Sequence, residues 1–291
     1  NELRMYRGMD IPYADPLGAS VAWPDAAAYS TGLKVVSSAA HLFGKEQAGT
    51  DAVAIIGDEA GLRDLKYQFD FQIAMGINIF VVHGLSYSLD GPRQDEVPPS
   101  IFYQHTKWKY MNHVLDQVRE TCDTLTGGEH LCETALLYPS TSLAVQIRDK
   151  RDDNYNLPDE ETYHRFVDHL LSRQREFDLI DEVTLRENTD AAGKLHTPES
   201  YNTIILPYLR FIDEETAEAL LRYARAGGRV IAVGSMPKAL SHDINIPQRE
   251  WADRSIAFFP SADGLTDLPG YDVQGDGASD IFVLRRKKDG Q

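Results

Sequence analysis

Residues 201–234 read YNTIILPYLRFIDEETAEALLRYARAGGRVIAVG, and the fold class follows from them. Positions 201–206 are a short run rich in β-branched residues that stops at Pro207, as a strand does. Asp213 is a good N-cap, followed by Glu214 and Glu215 where a helix dipole favours acids. Ala217, Leu220, Leu221 and Ala224 then recur at the spacing of a helix lying on a core. Gly227-Gly228 stops that helix, and 229–233 is a second apolar run of strand length. Strand, helix and strand with links this short make a right-handed crossover between parallel strands.

Working outward, 134–138 reads as a strand closed by Pro139, and 149–158 as a charged loop. A helix is expected over 159–173, with Asp159 as N-cap and Phe166, Val167, Leu170 and Leu171 as its buried stripe. A strand is expected over 180–185, and a turn with a small ribbon over 188–195. Residues 255–259 and 280–286 add strands, the last entering another sheet. The span 133–275 is therefore expected to be an open, mostly parallel, flavodoxin-like α/β domain, with 276–291 starting a further β element. It carries no recognisable chemistry. Gly227-Gly228 lies at a helix end, which offers carbonyls rather than the amides a phosphate needs. No GxSxG elbow is present, and no cysteine follows one of its strands as a nucleophile would.

Toward the amino end the pattern is again α/β. Residues 1–32 are broken by Pro12, Pro16 and Pro24 and read as a long loop with one short helix near 25–29. A strand is expected over 33–37, a helical turn over 38–43 and a strand over 51–56. Leu62, Leu65, Phe69 and Ile73 mark a helix over 62–75, ended by Gly76. The run Ile77-Asn78-Ile79-Phe80-Val81-Val82 lacks alternation, as a strand buried on both faces does. His83-Gly84 follows, then a polar loop to Gln104. A helix over 106–124 shows Trp108, Met111, Leu115 and Val118 on one face. Helix, tight turn, buried strand and polar loop form the αβ half of a (β/α) repeat. In barrels of such repeats, chemistry sits on the loops after the strands.

Charge narrows the partners. Twenty-nine basic residues against 45 acidic ones give −16, a field that repels phosphate backbones, so nucleic acid is not expected. No apolar run approaches the roughly 20 residues of a membrane span. The chain opens Asn-Glu-Leu-Arg, with no initiator Met and no basic-then-apolar leader, and is expected to be a processed form or a piece of something longer. Compartment is left open between a bacterial cytoplasm and a periplasmic or extracellular setting. Cys122 and Cys132 flank a Gly-rich turn, and whether they are bridged is also left open.

Sugar hydrolysis needs two carboxylates flanking the glycosidic bond. Asp51 stands where a strand begins, and Asp58 and Glu59 follow an apolar run and Gly57. The alternative for Asp58, Glu59 and Asp64 is that they cap the Leu62 helix. Asp10, Asp15 and Asp90 are further acids in loops. His41 lies amid the small residues Ser37-Ser38-Ala39-Ala40, and His83 ends a buried strand; each could equally be structural. Gln104, His105 and Trp108 combine amide, imidazole and indole in a way that suits a sugar, although Trp108 could also be core. No HExxH or His/Asp cluster points to a catalytic metal.

Two stretches carry a family resemblance. Residues 34–45, Lys-Val-Val-Ser-Ser-Ala-Ala-His-Leu-Phe-Gly-Lys, resemble a segment of large bacterial glycoside hydrolases of the α-L-rhamnosidase type. Leu65-Lys66 and then 76–84, Gly-Ile-Asn-Ile-Phe-Val-Val-His-Gly, are similar to segments that follow it at this spacing. The resemblance implies that 1–132 is the carboxyl-terminal portion of a catalytic (β/α)8 barrel, followed by an amidotransferase-like domain without amidotransferase chemistry. It implies hydrolysis of a terminal sugar such as α-L-rhamnose. It places Asp51 where the family has a Glu; Glu59 is the second carboxylate candidate from its place after Gly57, not from the resemblance. The resemblance matches His41 and His83 to histidines of the family and the stretch of Gln104, His105 and Trp108 to a segment on the following loop, all expected at the substrate. Asp15, which follows Asp10-Ile11-Pro12, is a further substrate-binding candidate that the resemblance does not clearly match. The resemblance implies no cofactor beyond calcium, and further domains on the same polypeptide. A homo-oligomer is left open. The Glu-to-Asp change motivates an alternative, a carbohydrate-binding or scaffold relative that has lost its catalytic carboxylates.

Overall fold

The computed structural model describes residues 2–15, 26–53, 56–57, 59–91, 101–149, 158–241, 251 and 253–288. In chain order the first part runs α1 (Glu2–Tyr6), β1 (Tyr13–Ala14), α2 (Ala26–Leu42), β2 (Gly49–Ala52), α3 (Leu62–Ala74) and β3 (Ile79–Val82). A 3-10 turn at Trp108–Tyr110 then leads into α4 (Met111–Leu125). Strands β1, β2 and β3 form a parallel sheet in that order.

The second part comprises β4 (Glu129–His130), β5 (Thr134–Leu137), α5 (Ser140–Asp149), α6 (Pro158–Ser172), β6 (Asp178–Ile180), α7 (Glu182–Asn188), β7 (Thr203–Pro207), β8 (Phe211–Asp213) and α8 (Glu214–Arg225). It ends with β9 (Arg229–Val233), β10 (Lys238–Leu240), β11 (Ile256–Phe259) and β12 (Arg286–Lys287). Five of these strands make a parallel sheet in the order β11-β9-β7-β5-β6. The crossover read from residues 201–234 is β7-α8-β9, with Thr203 opposite Arg229 and Pro207 opposite Val233. Asp213 caps α8 by accepting from the amides of Glu215 and Thr216. The chain is thus a mixed α/β protein with mostly parallel sheets.

Several expectations are corrected. Residues 33–37 are not a strand, because α2 runs unbroken to Leu42. This helix is packed on all sides: Leu33, Val36, Ser37, Ser38 and Ala39 are all fully buried. A helix covered all round carries no polar face, so its period is hidden, and tertiary burial overrides the strand preference of Val35-Val36. Residues 1–32 are not wholly irregular, since they contain α1, β1 and the start of α2. Residues 180–185 are not a strand either. The chain leaves β6 at Ile180, and Asp181 caps α7 by accepting from Val183 and Thr184. Asp159 is not a cap but lies in the first turn of α6, behind Pro158, and bonds Arg210 at 2.7 Å. The carboxyl-terminal strand is only β12, antiparallel to β4, with a 3-10 turn at Ala278–Asp280 before it. Both cysteines are free and buried.

Two cores follow from this layout. One lies between the three-stranded sheet and α3 and α4, built from Ala52, Leu65, Phe69, Ile73, Met111, Val114 and Val118. Phe69 meets Phe80 edge to face at 5.1 Å. The other runs from α1 and α2 into the five-stranded sheet without a break, from Leu33 and Val36 to Leu179, Ile204 and Ile231. Helix α2 therefore belongs to the packing of both parts.

The strand over 77–82 departs from its expected burial. Thr50, Ala52, Phe80 and Val82 face the α3/α4 side, but Asp51 and its register partner Val81 face the other way, and Val81 is 51% exposed. Parallel sheets are normally covered on both faces. Here helices cover one face, and among the described residues nothing shields Val81 on the other.

Candidate functional site

Register places the candidate residues. In a parallel sheet all strands end on one side, so whatever follows β1, β2 and β3 gathers along one edge. Asp15 follows β1, and Asp51 is the penultimate residue of β2. His83 follows β3, its amide donating to the Ala52 carbonyl at 3.0 Å. Asp51 is half-buried and accepts a short hydrogen bond from the Tyr13 hydroxyl. Burial raises the Tyr13 pKa, and the negative charges of Asp51 and Asp15 raise it further, so Tyr13 stays a donor to Asp51 across the neutral range. The His83 Nδ1 is buried and has no hydrogen-bond partner among the described residues. A buried imidazole nitrogen without a partner is costly unless something else meets it.

The loop after His83 is braced from behind. Ile101 donates its amide to Gly84 O at 3.0 Å. Gln104 Nε2 donates to the carbonyls of Ser86 at 2.7 Å and Tyr87 at 3.3 Å. Lys107 Nζ reaches Ala60 O at 3.0 Å, tying this loop to the one after β2. Gln104 is thus committed to backbone. His105 is buried, with Nδ1 accepting from the Lys107 amide at 3.4 Å. Trp108 is part core and part surface: its ring meets Phe102 edge to face at 5.3 Å and walls an apolar pocket of about 120 Å³ with Leu85 and Met111. Glu59 is exposed in the link from β2 to α3, its carboxylate lying over Gly57, where an added Cβ would come within 2.5 Å of Oε2. Asp58 lies outside the described residues.

His41 does not join this edge. It is in the last turn of α2, beside the start of β3, its Cε1 4.0 Å from where a Cβ on Gly76 would stand. That is the amino end of the sheet, opposite His83, so a sugar-binding role beside Asp51 is withdrawn for His41. Its Nδ1 is 2.9 Å from Asp178 Oδ1, and its ring stacks on His130 with centroids 3.9 Å apart. Asp178 also accepts from Ser38 at 3.2 Å and Tyr201 at 3.0 Å, and Lys34 Nζ stands 3.7 Å away. Sequence reasoning missed Tyr13, Lys34, His130 and Asp178. The one available signal was Asp178, a carboxylate inside the apolar run Phe177-Asp178-Leu179-Ile180.

Calcium takes six to eight oxygen ligands, and among the described residues no three His, Cys, Asp or Glu gather at the strand-end edge. Among the described residues the one such group is His41, His130 and Asp178, with donor atoms within 4.8 Å of one another. There the ammonium of Lys34 already stands beside the carboxylate.

No family model matches the chain, and no curated protein matches it in sequence. Solved structures do resemble it. A rhamnosidase from Novosphingobium sp. PP1Y superposes with a TM-score of 0.58 at 19% identity, over 81% of this chain and 22% of that one. A β-galactosidase from Bacillus circulans sp. alkalophilus gives 0.57 at 13% identity, over 80% and 33%. A β-galactosidase from the psychrophilic Marinomonas ef1 gives 0.56 at 11%, over 85% and 39%. The fold neighbours are glycoside hydrolases, and at these identities the likeness is one of fold. The chain spans between about a fifth and two fifths of their length.

Proposed function

We propose that this chain is the carboxyl-terminal part of a glycoside hydrolase barrel together with an attached, non-catalytic α/β unit, and that it acts on a terminal sugar such as α-L-rhamnose. The observation that carries this reading is the shared edge of β1, β2 and β3, which gathers Asp15, Asp51 and His83 beside an uncovered face. On this reading the open Asp51/Val81 face is the barrel interior, completed by further strands of the same polypeptide. Asp51 serves as acid or base, oriented by Tyr13. The unmet His83 Nδ1 receives or donates a hydrogen bond to a sugar hydroxyl. The loop held by Gln104 carries Trp108 as an apolar wall. Glu59, in the link from β2 to α3, is the second carboxylate. The sugar is the finer part of the proposal, supported by the motif resemblance and by the rhamnosidase among the fold neighbours.

The test uses the full-length protein and aryl glycosides, α-L-rhamnoside first. Asp51→Asn is expected to lower kcat by about 10²–10⁴, the usual weight of a positioned acid or base. Unchanged turnover removes Asp51 from the mechanism. The exposure of Glu59 favours a second reading, a carbohydrate-binding relative without catalysis. Calorimetric sugar binding with no hydrolysis of any aryl glycoside would select it.

A further inference from the structure

At the side opposite the strand-end edge, α2 meets the second part. A cavity of about 600 Å³ opens there, lined by His41, Lys45, His130, Cys132, Glu199 and Arg286 among others. At its floor lies a largely buried group of charges that the proposed function does not use. His130 is at its centre, with its side chain 1% exposed. Its Nδ1 is 3.6 Å from Asp178 Oδ2 and 3.8 Å from Glu199 Oε1, and its Nε2 is 3.7 Å from Glu176 Oε1. Three carboxylates therefore surround one imidazole. Its stacking partner His41 meets only one of them, Asp178.

We propose that the junction between α2 and the five-stranded-sheet unit is a one-proton lock, in which a single added proton on the His41–His130 pair, residing on His130, holds the two parts together most tightly. Two imidazolium rings stacked at 3.9 Å repel, so the pair cannot hold two positive charges without loss. Two neutral rings would leave Asp178 to Lys34, Glu176 to Arg285, and Glu199 facing an uncharged ring. Other groups reach the pair from each packed element. Lys34 comes from α2. Asp178 lies on β6, with Glu176 just before it. Glu199 and Tyr201 come from the segment ahead of β7. Cys132 follows β4, and Arg285 and Arg286 come from the carboxyl-terminal strand. Arg285 is already bonded to Glu176. Lys34 and the two arginines leave a dication little electrostatic room, which favours a proton over a metal ion at this centre.

The electrostatics give the sign. Burial depresses His130, but Asp178, Glu176 and Glu199 overcome it and raise its pKa to about 9. Burial also lowers His41, helped by the charge on His130 and partly opposed by Asp178. Both rings titrate near 6.5 in an unfolded chain. Below pH 6.5 the unfolded chain gains two protons and the lock holds one, so stability rises with pH. Between pH 6.5 and 9 the lock keeps a proton that the unfolded chain has lost, so stability falls as pH rises through His130. The contribution therefore peaks near pH 6.5.

The experiment is done on the full chain. Imidazole ¹⁵N shifts are followed from pH 5 to 10, and Tm is measured across pH 6.5–9. Expected are a charged His130 and neutral His41 at pH 7, and a Tm fall of roughly 4–8 °C between pH 6.5 and 9. His130→Gln should abolish the slope between pH 6.5 and 8, below the range in which the raised Cys122 and Cys132 thiols also contribute. A neutral His130 at pH 7, or a slope over that range that survives in His130→Gln, overturns the lock. So does an equimolar Zn²⁺ addition that raises Tm and shifts both rings, because a metal then takes the place of the proton. Should His130→Gln not fold, the ¹⁵N titration of the unaltered chain decides alone.

Discussion

At the scale of single residues, position in the backbone decides what a side chain can do. Gly76 illustrates this. Its φ is +97°, a conformation that L residues avoid, and an added Cβ would stand 2.8 Å from the Ser37 Cβ on α2. Gly76→Ala is expected to destabilise the chain by about 1–3 kcal/mol, through backbone strain plus displacement of α2, read as a shift in urea midpoint at unchanged m-value. His83 was legible in the sequence because it follows a recognisable strand, whereas Asp51 was expected to begin a strand over 51–56 and is instead the penultimate residue of β2. Asp178 and His130 were not legible, because their significance arises from meeting α2 residues 137 positions or more away in one case and from stacking in the other. No local pattern encodes such a meeting.

At the scale of elements, local signals were reliable where one face of an element is wet. Helix α8 has polar residues opposite its stripe, and its cap, stripe and Gly stop were all readable. Asp213 accepts from two first-turn amides and is also paired with Arg186 at 3.0 Å. Asp213→Ala should therefore cost about 1–2 kcal/mol, measured by the same denaturation midpoint. Helix α2 failed as a sequence reading for the opposite reason. Buried on every side, it reads as an apolar stretch with small residues, and length is the only discriminator from a strand. The buried polar chain on its flank reinforces the point. Thr50 donates to Gln72, and Gln72 Nε2 donates to Tyr29 at 2.7 Å, so β2, α3 and α2 are joined by groups with no sequence period.

At the scale of the whole molecule, the two sheets differ in how completely they are packed. In the five-stranded sheet, β5, β7 and β6 are buried at every position. In β3 each residue retains some exposure. Amide exchange should follow this division. The amides of β7 and β9 are expected to exchange only through global unfolding, and those of β1 to β3 through smaller openings, at least tenfold faster by hydrogen-exchange mass spectrometry. Equal protection of both sheets would mean that the Asp51/Val81 face is covered in solution.

The sequence by itself determined the crossover of residues 201–234, the parallel α/β class, the acidic field and the position of His83 after a strand. Those properties are written in short-range periodicity, caps and composition, which act over a few residues. Only the tertiary structure decided that α2 is a helix, that Asp51 lies at the end of β2, that His41 sits by the other end of the sheet from His83, and that His41, His130 and Asp178 form one buried charge group. Burial and charge pairing act between segments far apart in the chain, and they override local preference wherever an element has no solvent-facing side to reveal its period.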